Sequence, residues 1–196
     1  MTTHREVEIK FRTSSIAALS RKLRASGFRL LTKRTLETNT LYDLPGGDLR
    51  SRGALLRLRK YGPTWTVTYK DRSRSGRHKS RREIETTVGE GETLVEMFQA
   101  LGLGPRFSYE KFRTEWSKGA GHVLIDETPI GDFGEIEGPP RWIDAVAKQL
   151  DIGRDQYITA SYSELFQEWK EQTGSRARDL LFSEVTRTSR RPSRSR

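Results

Sequence analysis

The 196-residue chain contains no cysteine, which excludes disulfide bonds, thiolate zinc sites and cysteine nucleophiles. It has no run of eighteen apolar residues, so an ordinary transmembrane helix is excluded. The N-terminal MTTHREVEIKFR lacks the apolar h-region of a secretory signal, and a cytoplasmic location is the expectation. Apolar residues are scarce, 33% against 32% charged, so the core must be economical. Acids are outnumbered as well: 36 Lys and Arg face 26 Asp and Glu, a net charge of +10. That balance points to polyanions: nucleic acid, anionic lipid or phosphorylated small molecules.

The excess charge is uneven. From Gly174 to Arg196 seven arginines face only Asp179 and Glu184, a net +5. Residues 1–173 are therefore expected to form the domain and 174–196 a basic tail, disordered over 186–196, where almost nothing apolar offsets the entropy of ordering. The short apolar patch Leu180-Leu181-Phe182 could dock.

Within 1–173 most of the pattern has period two. Glu6/Glu8/Lys10 alternate with Val7/Ile9/Phe11, and Arg57/Arg59 with Leu56/Leu58. Similar alternation over 64–70, 81–87, 109–117, 122–127 and 130–137, together with 28–43, predicts about eight strands. Helices are predicted after Ser14/Ser15 (Ile16, Leu19, Leu23, stopped by Gly27), over Leu94–Leu101, after Pro139-Pro140, and through Tyr162, Leu165, Phe166 and Trp169. Asp71–Arg82 holds six bases and one acid and reads as a flexible loop. His4, His78 and His122 read as solvent or core residues rather than ligands, and Tyr162 as core-facing.

Charge crowds one strand parity. Glu6, Glu8, Lys10, Arg57, Arg59, Lys70, Glu83, Glu85, Lys111, Arg113, Asp126, Glu135 and Glu137 all lie on it. Four amphipathic helices need an apolar sheet face to cover. If they pack outside, the charged parity faces inward, into an eight-stranded antiparallel β-barrel of the α+β class. Such a lumen cannot be dry, because unpaired buried charge costs several kcal/mol per ion. Carboxylates favour hard divalent cations, and Arg and Lys favour phosphate oxygens, so the mixture suits a polyphosphate–metal complex. Metal there would neutralise charge and activate a nucleophile.

Several stretches then resemble one family. Glu6-Val7-Glu8-Ile9-Lys10 has the ExExK form that opens the CYTH superfamily, the triphosphate tunnel metalloenzymes. Asn39-Thr40-Leu41-Tyr42-Asp43, Leu56-Arg57-Leu58-Arg59, Lys70, Arg82-Glu83-Ile84-Glu85, Lys111-Phe112-Arg113, Asp126 and Gly131–Glu137 are similar to its later motifs, in order, from residue 5 to about 166. The likeness is strongest to bacterial class IV adenylyl cyclase-like and triphosphatase members. The resemblance implies a tunnel fold and activity on triphosphates (tripolyphosphate, ATP or thiamine triphosphate) with Mg²⁺ or Mn²⁺. It implies that Glu6, Glu8, Asp126, Glu135 and Glu137 face metal. Lys10, Arg57, Arg59, Lys70, Lys111 and Arg113 would bind phosphate, and Glu83 and Glu85 would support them. Glu6, Glu8, Lys10, Lys111 and Arg113 form the expected catalytic set. Three functions are weighed: hydrolysis of a triphosphate, cyclisation of ATP with pyrophosphate leaving, and non-catalytic polyanion or RNA binding. No membrane partner is expected, and nucleic acid is not required, although the basic tail could touch it weakly.

Overall fold

The computed structural model describes residues 2–73 and 76–189. Eight strands are interrupted by helices in the order β1 (Thr2–Arg12), α1 (Ile16–Ala25), β2 (Arg29–Asp43), α2 (Asp48–Ser51), β3 (Leu55–Tyr61), β4 (Thr64–Lys70) and β5 (Lys79–Val88). There follow α3 (Gly91–Ala100), β6 (Gly104–Lys118), β7 (Gly121–Thr128), β8 (Gly131–Glu137), α4 (Pro140–Gln149), a 3-10 turn (Arg154–Gln156), α5 (Tyr162–Thr173) and α6 (Phe182–Ser189). The strands close into an antiparallel barrel in the order β1-β5-β4-β3-β2-β6-β7-β8. No described helix is long and apolar enough to cross a membrane.

The apolar core lies between barrel and helices. Ile9 and Phe11 of β1, Val123 and Ile125 of β7 and Ile136 of β8 pack under α1 and α4 with Leu23, Ile143 and Val146. Burying each such side chain contributes roughly 1.5–3 kcal/mol, which is why one parity of each strand turns outward beneath a helix. A second cluster joins Phe133 to Leu165 and Phe166 of α5, and a third places Leu58 and Tyr42 against Phe98 of α3.

Local chemistry sets the helix ends. The Ser15 side chain accepts from the Ala18 N–H at 3.2 Å, and the chain leaves α1 through Gly27 at φ 79°. Ser161 and Glu164 form a reciprocal capping box on α5. Gly134 has a packing reason: it pairs with Phe11 across β1 and β8, and a Cβ there would lie 2.0 Å from the Phe11 ring.

Two expectations change. The basic segment 71–82 is not all loop, because β5 starts at Lys79 and pairs with β1 from Glu8↔Lys79 onward. Lys79 and Arg81 continue the inward parity of Glu83 and Glu85, but bases on both parities hide the alternation. The segment after Gly174 contributes to the fold: Ala177, Leu180 and Val185 are buried, and Leu180 pairs with Tyr109 of β6. Of the stretch 186–196 expected to be disordered, residues 186–189 form the end of α6, and residues 190–196 lie outside the described residues.

Candidate active site

The inward parity of all eight strands borders one cavity of about 300 Å³. Twelve of the thirteen charged residues expected there line it; Asp126 does not. Asp126 is wholly buried behind the wall.

The site has two electrostatic parts. On the β6–β7–β8 wall the Arg113 guanidinium donates to both Asp126 oxygens at 2.7 Å and to Glu135 at 2.6 Å. The Lys111 ammonium and the Tyr162 hydroxyl each donate to Asp126 at 2.7 Å. Glu37 of β2 lies 3.5 Å from Lys111 and 3.7 Å from Arg113. Burial alone would push Glu37 up, but Lys111 and Arg113 more than offset it and hold it well below the usual carboxylate range. Lys10 pairs with Glu8 at 2.9 Å and Glu135 at 3.2 Å, and against burial those two carboxylates raise its pKa.

Around β1 the acids are crowded. Glu6, Glu8 and Glu137 each bring a carboxylate oxygen to within 4.8 Å of the others. Glu6 has Lys70 at 3.1 Å and Arg81 at 3.4 Å, and Glu8 has Lys79 at 3.6 Å besides Lys10. Glu137 makes no ion pair among the described residues. Burial, then the Glu6, Glu135 and Glu8 charges, push it well above the usual range. A hard divalent cation is the partner that such a trio of oxygens fits.

The remaining cations line the same cavity. Lys70 pairs with Glu83, whose carboxyl is pushed up to about 7 by burial and by the neighbouring Glu6. Arg57 and Arg59 reach Glu85 at 3.7 and 3.5 Å. Burial, with the nearby Lys10 charge, pulls Lys79 down to about 8.

Several residues in or behind the cavity wall escaped the sequence reading. Glu37 lies in β2, where LTKRTLETNTLYD is polar on both faces and shows no clean alternation. Lys79 and Arg81 were assigned to a loop. His122, set aside on sequence, lines the cavity on β7. Tyr162 has the helical spacing of a core residue and is buried, yet its ring sits 4.7 Å from the Lys111 ammonium and 5.5 Å from that of Lys10.

A CYTH domain model matches residues 4–162. The chain belongs to the CYTH family. It is 28% identical over 171 residues to a Methanocaldococcus jannaschii protein named as a candidate adenylate cyclase, covering 82% of this chain and 97% of that one. A Vibrio parahaemolyticus protein described in the same terms has the same fold, with a TM-score of 0.73 at 21% identity over 83% of this chain and 97% of the other. A Hippeastrum protein, a candidate adenylyl cyclase described as having a dominant triphosphatase activity, superposes with a TM-score of 0.63 at 22% identity over 84% of this chain and 96% of its own.

Proposed function

We propose that the protein is a divalent-metal-dependent enzyme that cleaves a phosphoanhydride bond of an inorganic or organic triphosphate. The observation that carries this is the pairing, inside one cavity, of a carboxylate trio, one member of which, Glu137, has no cationic partner among the described residues, with buried Lys and Arg. Either half alone would be a costly way to build a core. Together they match the two charges of a metal–polyphosphate complex.

In this reading Glu6, Glu8 and Glu137 hold Mg²⁺ or Mn²⁺. Bound there, the ion supplies charge neutralisation of the phosphates and a lowered pKa for a water nucleophile. Lys10, Arg57, Arg59, Lys70, Lys111 and Arg113 bind phosphate oxygens and, with Lys79 and Arg81, stabilise charge on the departing diphosphate. Asp126 and Glu135, expected as metal ligands, act differently here. Their oxygens are taken up by Lys111, Arg113, Tyr162 and Lys10, so they orient the phosphate-binding cations. Glu83 and Glu85 do the same for Lys70 and for Arg57 and Arg59. Water attacks the terminal phosphorus, and orthophosphate and the diphosphate separate.

A second reading is cyclisation of ATP, in which the ribose 3′-hydroxyl attacks the α-phosphorus and pyrophosphate leaves. It draws on the name of the Methanocaldococcus jannaschii relative and on the apolar stretch of the cavity, Leu41, Leu55 and Phe107, which suits a nucleoside better than phosphate.

The test is incubation with tripolyphosphate, ATP and thiamine triphosphate, with Mg²⁺ and then Mn²⁺, followed by separation of products. Orthophosphate is the expected product. Cyclic AMP with pyrophosphate would replace the hydrolase by the cyclase. No turnover of any triphosphate, with RNA binding that weakens steeply as salt rises, would leave only a polyanion-binding role.

A further inference from the structure

A second charge cluster lies outside the barrel, on α4. Asp144 Oδ2 pairs with the Arg77 guanidinium at 2.9 Å, and its Oδ1 lies 2.8 Å from His78 Nε2. The Tyr157 hydroxyl donates to the same Oδ1 at 3.4 Å, and the Tyr157 and His78 rings lie 6.2 Å apart. The His78 side chain is only 8% exposed, so it is docked rather than passing over the surface. Asp144 is itself on a fixed support, because Ile143, Val146 and Ala147 of the same helix are buried against the barrel.

Arg77 and His78 come immediately before β5, and the next residue is Lys79. Lys79 is the last rung of the β1–β5 ladder, opposite Glu8, and two residues on Arg81 stands opposite Glu6. A ladder frays first at such an end unless something outside pins it, and Asp144 supplies the pin. Inside, Lys79 is buried and lines the cavity. Its side chain is loosely held there. Among the described residues its one ion pair is with Glu8 at 3.6 Å. Lys10, in contrast, has Glu8 at 2.9 Å and Glu135 at 3.2 Å, and Lys70 has Glu6 at 3.1 Å and Glu83 besides. Where Lys79 stands is therefore decided by its backbone more than by its side-chain partners.

We propose that Asp144 is a positioning residue: from outside the barrel it anchors Arg77 and His78, and so fixes Lys79 on the Glu8 side of the cavity to meet the departing diphosphate. Anchoring from outside leaves the ammonium unspent. A second carboxylate in the lumen would also hold Lys79, but it would compete with phosphate oxygens for the same donors. The inference rests on the triphosphate reading of the cavity.

The experiment measures kcat and KM with Mg²⁺, on the full chain, for whichever of tripolyphosphate, ATP and thiamine triphosphate the wild type cleaves. Calorimetry with the same compound, without metal, gives the number of sites per chain. Asp144→Ala is expected to lower kcat about tenfold with KM within about twofold, the signature of an interaction made in the transition state. Its binding stoichiometry is expected to equal that of wild type, which separates a misplaced lysine from a loss of folded protein. Lys79→Ala is expected to lower kcat at least as far. In that background Asp144→Ala is expected to add nothing, because both changes remove the same contact. Wild-type kcat in folded Asp144→Ala or in Lys79→Ala, or a full additional loss in the Lys79→Ala background, would overturn the inference alone. Should Asp144→Ala lose sites or not fold, the double variant Arg77→Ala, His78→Ala carries the same expectation, and unchanged kcat there would overturn it. Wild-type protein that cleaves none of the three triphosphates would instead overturn the triphosphate reading and this inference with it.

Discussion

Asp126 on β7 and Glu137 on β8 are carboxylates on adjacent strands, both with an inward parity, yet the barrel treats them in opposite ways. Asp126 takes four hydrogen bonds, two from Arg113 and one each from Lys111 and Tyr162. Among the described residues Glu137 has no ion pair, and it sits among other carboxylates that push its proton affinity up. The first is a finished structure, a knot of paired charge that in the proposed reading holds cations for phosphate. The second is an unfinished one, a place whose charge balance calls for a cation from outside. In that reading neighbouring residues of the same chemical type carry different parts of the function.

The comparison breaks most visibly by mutation of the knot. Asp126→Ala leaves Lys111 and Arg113 buried with their main partner gone, and should cost about 3–5 kcal/mol of unfolding free energy, measured by urea denaturation. Glu137→Gln, in contrast, removes a repelled charge and should leave the metal-free melting temperature at or above that of wild type. If both variants lose equal stability, the distinction between knot and trio fails.

Activity sharpens it next. Glu8→Gln should reduce metal-dependent triphosphate turnover about 100-fold or more, roughly 2.7 kcal/mol of barrier, with the circular dichroism spectrum unchanged. Unchanged turnover would remove Glu8 from the site. Tripolyphosphate with Mg²⁺ at about 100 times Kd should stabilise wild type by about 2.7 kcal/mol, roughly 5–10 °C in melting temperature for a chain of this size. The same mixture should give little shift with Glu137→Gln, and an equal shift there would show that the trio is not where the ion enters.

The smallest effect is on pH dependence. Glu37 has a folded pKa held well below the usual range, against about 4.3 in the unfolded chain. Its contribution to stability is present above the unfolded value and lost as pH falls toward the folded one. Glu37→Gln should therefore flatten the acid limb of the stability curve, by at most about 1.4 kcal/mol per pH unit between pH 5 and 3. An acid limb as steep as wild type would mean that Glu37 is not ionised in the knot.

The legibility of this molecule in its sequence followed the cleanness of its alternation. β1 and β8 read directly, because Glu6/Glu8/Lys10 and Glu135/Glu137 are flanked by Val7, Ile9, Phe11 and Ile136 on the other parity. The closed barrel, with its core outside, followed from that parity and from four amphipathic helices in search of a surface. β2 and the start of β5 carry polar residues on both faces, so Glu37, Lys79 and Arg81 gave no signal of which way they point. Tyr162 was hidden differently. Helical spacing places it correctly in the core, and only the fold shows that this part of the core abuts Asp126. Division of the acids into paired and unpaired is also absent from sequence, because it depends on which cation from another strand arrives beside each carboxylate. The segment 177–185 docks through buried Ala177, Leu180 and Val185 and an acceptor from Asp179, in a stretch whose arginines dominate its composition.

The central claim is that an ion enters the channel at the carboxylate cluster of Glu6, Glu8 and Glu137, where Glu137 has no cationic partner among the described residues. A crystal of the protein grown with Mn²⁺ and tripolyphosphate tests it by anomalous diffraction. The account predicts Mn²⁺ peaks within coordination distance of Glu6, Glu8 and Glu137, with the phosphates extending toward Arg57 and Lys111. Manganese on Asp126, or only outside the barrel, would contradict it.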